Sequence, residues 1–214
     1  MPWTLVQRPG IHPFHDSSTT EQAYRRAVGG SRQTLTLEQR QRVAFWAADC
    51  AERVLSIVDD ELPGDRRVRQ AIDQTRAFGR GDLPVVVAIA RRGGDAGGAA
   101  RAARSAAAKA AAYAAEQAAG VAHMGAHALG AAGYAGKALI LAPHGGSVAD
   151  REMQAAGVAR RLVDLMSDPV AQDIAGLPML GEDTRGPLAP GRLSGGHVGN
   201  VIRAIQASLS QRIG

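Results

Sequence analysis

Three groups of side chains in this sequence have residue types and spacings suited to chemistry. In WAADCAERVL (46–55), the carboxylate of Asp49 adjoins Cys50, the only cysteine. A nucleophilic cysteine needs its pKa lowered by a helix N-terminus or a nearby base. Cys50 instead falls far into a helical pattern, on its apolar stripe, and is expected to be a small core residue. Asp49 flanks that stripe, where a half-buried carboxylate needs a partner. Arg53, four residues on, and the arginines of the next helical segment are the candidates. Used otherwise, Asp49 is the residue on which acid/base chemistry would rest.

The second group is RRVRQAI (66–72), which begins a helical pattern with Arg66, Arg67 and Arg69. Cations at a helix N-terminus oppose its dipole. Carboxylates on the preceding helix or on a partner would answer them, the alternative being a solvated face, and Arg53, Arg67 and Arg69 are the candidate binding residues. The third group is His123 and His127, spaced to share one helix face, as in zinc-binding HEXXH helices. Here Met-Gly-Ala separates them, and the nearest carboxylate, Glu116, is two turns upstream. No metal and no cofactor is expected. The glycine-rich stretches RRGGDAGGAARAAR (91–104) and GRLSGGHVGN (191–200, with His197) offer backbone amides to an anion. Neither matches a phosphate-loop or dinucleotide pattern.

These residues sit on elements that the sequence outlines. Thr36-Leu37-Glu38-Gln39 fits a capping box. Val43, Trp46, Ala47, Cys50, Val54, Ile57 and Val58 then share one helical face, up to the stop at Leu62-Pro63-Gly64. Asp65 suits a cap for a second helix with the stripe Val68, Ala71, Ile72, Thr75 and Phe78. Its short connection makes the two helices antiparallel neighbours. VVVAIARR (85–92) fits strand or helix equally. Alanine-dominated helices run from Ala99 to about Leu141, with breaks expected near Gly120 and Gly130–Gly136. A helix from Ser147 or Asp150 ends at Asp168-Pro169. A Pro/Gly-rich loop, 169–197, is too long to be idle in a compact domain. The last helix carries Val198, Val201, Ile202, Ile205, Leu209 and Ile213 on one side. A short helix within 20–28 is a further candidate. The expected fold is all-α, a compact, alanine-rich bundle of about six to eight helices. It divides into an N-terminal arm (1–34), a helical core (35–142) and a C-terminal helical extension (143–214).

Composition narrows the function. The 214 residues are 45% hydrophobic but only 4% aromatic, so the core must be built from small aliphatic side chains. The net charge of +5 rests almost wholly on arginine, with only Lys109 and Lys137 as lysines. An arginine- and alanine-rich chain is what a GC-rich bacterial genome encodes. The bases show no clustering with aromatics, so no nucleic-acid partner is expected. No apolar run approaches the ~18 residues of a membrane helix, and MPWTLVQRPG lacks the features of a secretory signal. With a single cysteine suited to a reducing compartment, a cytoplasmic location is expected.

WAADCAERVL (46–55), DRRVRQAI (65–72), RAF (76–78) and GD (81–82) together resemble the Imm-5-like immunity protein family of bacteria. Its members carry WAADCAE-x-VL, D-x-RPR-x-AI, RAW and then Gly with an acidic residue. Val68 here replaces the proline of RPR, and Phe78 the tryptophan of RAW. The alanine- and histidine-rich helices around 100–135 are similar to the family's continuation. The resemblance implies an all-helical protein that neutralises a toxin, with Trp46, Asp49, Cys50, Arg67, Arg69 and Ile72 at pattern positions. Such a module would be non-enzymatic and bind a protein partner by occlusion and complementary charge. The alternative is an enzyme, or a subunit of a heteromeric one, in bacterial secondary-metabolite (antibiotic) biosynthesis. It would use Asp49, His123 and His127 for acid/base-assisted intramolecular displacement or elimination, with Arg67 or Arg69 holding an anion. A closed ion pair at Asp49 favours the module; a pocket joining Asp49 to either histidine favours the enzyme.

Overall fold

Thr36 begins the first helix as a capping box requires. Its hydroxyl accepts from Gln39 N–H (3.2 Å), and its own N–H donates to Gln39 Oε1 (2.9 Å). The structure is a computed structural model that describes residues 31–91, 94–142, 148–191 and 193–213, with side chains omitted at 94–95 and 148–154. Every regular element among these residues is a helix. In chain order they are α1 (Leu37–Glu52), α2 (Leu55–Glu61), α3 (Arg67–Gly79), α4 (Val85–Arg91), α5 (Gly94–Ala102), α6 (Ala106–Gly120), α7 (His127–Leu141), α8 (Val148–Val163), α9 (Asp168–Ala175) and α10 (Gly196–Ile213). The short helix expected within 20–28 and the Pro143 to Ser147 junction lie outside the described residues.

The expected apolar stripes are buried. On α1, Val43, Trp46, Ala47 and Cys50 are sealed from solvent, as are Val68, Ile72 and Phe78 on α3. The stretch from Leu37 to Glu61, expected to be one helix, bends at Val54, whose φ of −114° and ψ of 6° interrupt it. The bend keeps Val54, Leu55 and Val58 in the core. Asp65 serves α3 one residue early: its Oδ1 accepts from Arg67 N–H at 3.0 Å, although Arg66 occupies the cap. VVVAIAR resolves as helix, because Pro84 starts it and its carbonyl accepts from Val87 and Ala88 N–H.

At the centre, α6 and α7 pack along each other as an antiparallel pair. α1, α2, α3 and α5 lie against α6, while α1, α8 and α10 lie against α7. Ten of the fifteen α6 residues are buried, so this helix is enclosed nearly all round. Alanine contributes little area singly, but it lets backbones approach closely enough to recover dispersion. The helix break expected near Gly130–Gly136 does not occur: α7 runs unbroken through it. Those glycines face neighbours that leave no room for a side chain. A Cβ on Gly133 would lie 2.9 Å from Val198, and one on Gly136 2.8 Å from both Val201 methyls. Glycine here sets the distance between α7 and α10 rather than ending a helix.

The connection between α6 and α7 is fixed from outside. Arg40 of α1 is fully buried and donates to the carbonyls of Ala122 (3.1 Å) and His123 (3.4 Å). A cation suits that position, beside the carbonyl end of α6. Gly125 and Ala126 N–H donate to the carbonyls of Thr34 and Gln33, both at 3.0 Å.

The Pro/Gly loop before the last helix is shorter than its composition suggests. Asp168-Pro169, expected to end a helix, also starts one: proline fits the first turn of α9, where its missing N–H has no helical partner. Two buried glutamines hold the remaining loop. Gln33 donates to Asp183 Oδ2 and the Arg185 carbonyl, both at 2.7 Å, and accepts from Leu188 N–H. Gln206 of α10 donates to the Pro178 carbonyl and accepts from Leu180 N–H. Ile213, expected on the buried side of α10, is about half exposed at the helix end.

Candidate functional site

Of the residues with chemical promise, Asp49 has the clearest fate. Arg76 of α3 donates to Asp49 Oδ1 at 2.7 Å and to Glu52 Oε2 at 2.6 Å, bridging both acids of WAADCAE to the arginine of RAF. Of the expected partners, it is an arginine of the next helix that pairs with Asp49; Arg53 is exposed and makes no ion pair with it. Arg76 reaches across from the packed α3, whereas Arg53 closes the helix at the Val54 bend. Bonding to Arg76 holds the Glu52 carboxyl below its usual range. The same pairing, first with Glu52 and then with Asp49, pushes the Arg76 guanidinium pKa up against the opposing effect of burial.

Two of the three arginines at the start of α3, Arg67 and Arg69, face carboxylates. Arg67 Nε donates to Asp65 Oδ1 at 3.0 Å, and Arg69 donates to Asp59 on α2 at 2.8 Å. Cys50 is fully buried, and burial pushes its thiol pKa far up, with the neighbouring Asp49 charge adding to the shift. Trp46 donates from its indole to the Leu162 carbonyl at 2.8 Å, fastening α1 to α8. Nearer the start of α1, Asp173 of α9 accepts from Arg42 (2.9 Å) and Gln39 (2.9 Å), and Arg42 also pairs with Glu38 (2.6 Å).

His123 and His127 do not share one helix face. α6 ends at Gly120 and α7 starts at His127, so His123 lies in the turn between them. Their rings are 6.3 Å apart at 42°. Among the described residues, no group of three or more His, Cys, Asp or Glu is placed to hold a metal. His197 begins α10, and GDAGG falls within α5 rather than in a loop before it.

A cleft of about 690 Å³ opens where α6 and α7 meet the Pro/Gly loop. Tyr113, Glu116 and Gln117 line it from α6, His127 and Tyr134 from α7, and Gly186, Pro187, Ala189, Pro190, Gly191 and Leu193 from the loop. The two tyrosine rings stand 5.3 Å apart, tilted by 40°. His127 Nδ1 lies 2.9 Å from Gln117 Oε1, as a ring N–H donating to an amide oxygen. The His127 ring packs over Gly120, where a Cβ would come within 2.9 Å of it. Of the candidates drawn from the sequence, His127 alone lines this cleft; Asp49, His123, Arg53, Arg67 and Arg69 do not.

Tyr113, Gln117 and Tyr134 were not singled out from sequence, although a signal was present. In AAAKAAAYAAEQAAG, every residue other than alanine or the final glycine falls at 109, 113, 116 or 117, a single helical stripe. Polar and aromatic residues confined to one face of an alanine helix mark the face left open to a ligand or solvent.

No helix among the described residues is long and apolar enough to cross a membrane. Searches of curated proteins and of solved structures return no match. The family comparison matches residues 33–162, from the buried Gln33 to the end of α8, beyond the segments that carry the sequence resemblance. The chain belongs to the family described as Imm-5 like putative immunity protein.

Proposed function

We propose that this chain is a non-enzymatic, protein-binding helical module that neutralises a cognate toxin by occluding it. The observation that supports this reading is the half-exposed Asp49–Arg76–Glu52 cluster, in which Asp49 is paired with an arginine. It gives the most chemically suggestive carboxylate a structural task, joining α1 to α3. The other family-pattern residues have similar tasks: Trp46 ties α1 to α8, Cys50 and Ile72 fill the core, and Arg67 and Arg69 are held by neighbouring aspartates. What remains is a rigid frame with a cleft bordered by a clamped loop, a surface suited to recognition. Rigid partners bind with less ordering cost than mobile ones. The acid/base alternative required Asp49 in a pocket with a histidine, and the cleft holds His127 without Asp49.

Affinity isolation from the host that makes this protein, followed by co-expression of the captured partner, tests the reading. The expected result is a stoichiometric partner that is toxic when expressed alone and harmless with this chain. A partner whose toxicity this chain does not relieve, or a captured biosynthetic enzyme, overturns it.

A further inference from the structure

We propose that residues 33–35 form a strained strap that latches the 181–191 loop to the α6–α7 connection, and that its release opens the loop wall of the cleft. Two adjacent residues carry the latch. The carbonyls of Thr34 and Gln33 accept from Gly125 and Ala126 N–H, both at 3.0 Å. The Gln33 side chain donates to Asp183 and the Arg185 carbonyl and accepts from Leu188 N–H at 3.0 Å. Gly186, Pro187 and Ala189 of the same loop line the cleft.

Two features store free energy in the latched state. Among the described residues, Leu35 alone other than glycine has a positive φ, of 60°. A bulky side chain in that region crowds its own backbone. It is held there because the Leu35 side chain lies over Gly125, where no Cβ has room. Thr34 is 4% exposed, and its hydroxyl has no hydrogen-bond partner among the described residues. A buried hydroxyl without a partner carries its full desolvation cost. Both penalties vanish when the strap lifts, since Leu35 relaxes and the hydroxyl meets water. Outliers of this kind persist where the surroundings over-determine them, and they cluster at clamps and switch segments. Burial of Leu188 opposes release and keeps the latched state dominant.

The rest of the fold confines the release. Arg40 holds the Ala122 and His123 carbonyls from α1, and Gln206 holds Pro178 and Leu180 from α10, none of them through the strap. The loop between is bounded by Gly181 (φ 93°) and Gly191 (φ 154°), and no atom lies within 4 Å of a Cβ added at either. Glycine turns freely at such open positions. Gly181 N–H donates to the Leu188 carbonyl at 2.7 Å, so the segment moves as one closed loop. Gly186 lets it seat on the strap, since a Cβ there would come within 2.7 Å of Gln33 Oε1. The device stands whether or not the toxin-neutralising reading holds.

Native-state hydrogen exchange of the full-length protein, read amide by amide by NMR, tests the strap. Gly125, Ala126 and Leu188 lie on separate parts of the chain, and each donates its N–H to residue 33 or 34. The three amides are expected to share one opening, with protection equal within about threefold and at least about a hundredfold below that of amides inside α6. Gln33→Ala removes the side-chain bonds to the loop and leaves both strap carbonyls in place. It is expected to speed exchange about tenfold at Leu188, Gly125 and Ala126 together; loss of a merely local bond would move Leu188 alone. Thr34→Val replaces the unpaired hydroxyl by a methyl group and is expected to slow all three about tenfold. The comparison of the three amides in the unaltered protein needs no variant to fold. Unequal protection of the three, protection as high as in α6, a response to Gln33→Ala confined to Leu188, or no slowing in Thr34→Val overturns the proposal.

Discussion

The α1–α3 region and the α6–α7 pair are built on opposite principles. In the first, a large side chain and charges define the contact: the Phe45 ring lies over Gly79, and Arg76 bridges two acids at its edge. In the second, the absence of side chains defines it, with alanine and glycine letting three layers of helix approach closely. The difference explains where chemistry resides. Where reactive-looking residues form the architecture, they are consumed by it. Where architecture needs only methyl groups, the few polar and aromatic residues are left to face the cleft.

Opposite operations should break the two regions. Trp46→Ala removes a fully packed indole and its bond to Leu162, and the expected loss is about 3–5 kcal/mol of stability in denaturant unfolding. Gly136→Val adds volume where Val201 and Val158 already stand, and the expected loss is about 1–3 kcal/mol with a displaced α10. Similar stability for Gly136→Val and the parent would show that α7 and α10 are not closely packed. A glycine outside such a contact sharpens the point. At Gly157 in α8, the nearest atom to an added Cβ is a terminal nitrogen of Arg161, 3.9 Å away. Gly157→Ala should therefore stabilise by about 0.5–1 kcal/mol, read as a raised Tm.

The smallest effects belong to the half-exposed ion cluster. Arg76→Ala should cost about 1 kcal/mol or less, and Asp49→Asn less still, because Arg76 keeps Glu52. This is below the cost of stranding a buried arginine, since the Asp49 side chain is 45% exposed. Acid unfolding reads the same cluster. The folded pKa of Glu52 lies below its ordinary value of 4.5. Its contribution is therefore complete above that value and lost as pH falls through the lower folded value. Arg76→Ala should flatten the stability curve below about pH 4.5; an unchanged acid limb would show that the bridge carries no stability.

Much of the fold was legible because it is local. The Thr36 capping box, the α1 and α3 stripes and the burial of Cys50 follow from spacing within one helix. The errors arose where one residue type serves two purposes. Glycine at 130–136 suggested a helix break, yet in a helix enclosed by neighbours the gain from close approach exceeds glycine's cost in propensity. His123 and His127 looked like one face because a four-residue spacing is informative only if the helix continues, and it stops at Gly120. Proline at 169 looked like an ending and was also a beginning.

The sequence by itself determined that the chain is helical, which faces are buried and that Asp49 would need a cation. These depend on 3.6-residue periodicity and on the cost of burying charge. Only the tertiary structure decided which of the candidate arginines, Arg53 or those of the next helix, the cation would be, that two glutamines 173 positions apart in the chain would fix one loop, and that Tyr113 and Tyr134 would meet. Pairings between elements depend on how closely helices approach and at what register. That register is set by glycines such as Gly133 and Gly136, whose role appears only when the opposing side chains are known.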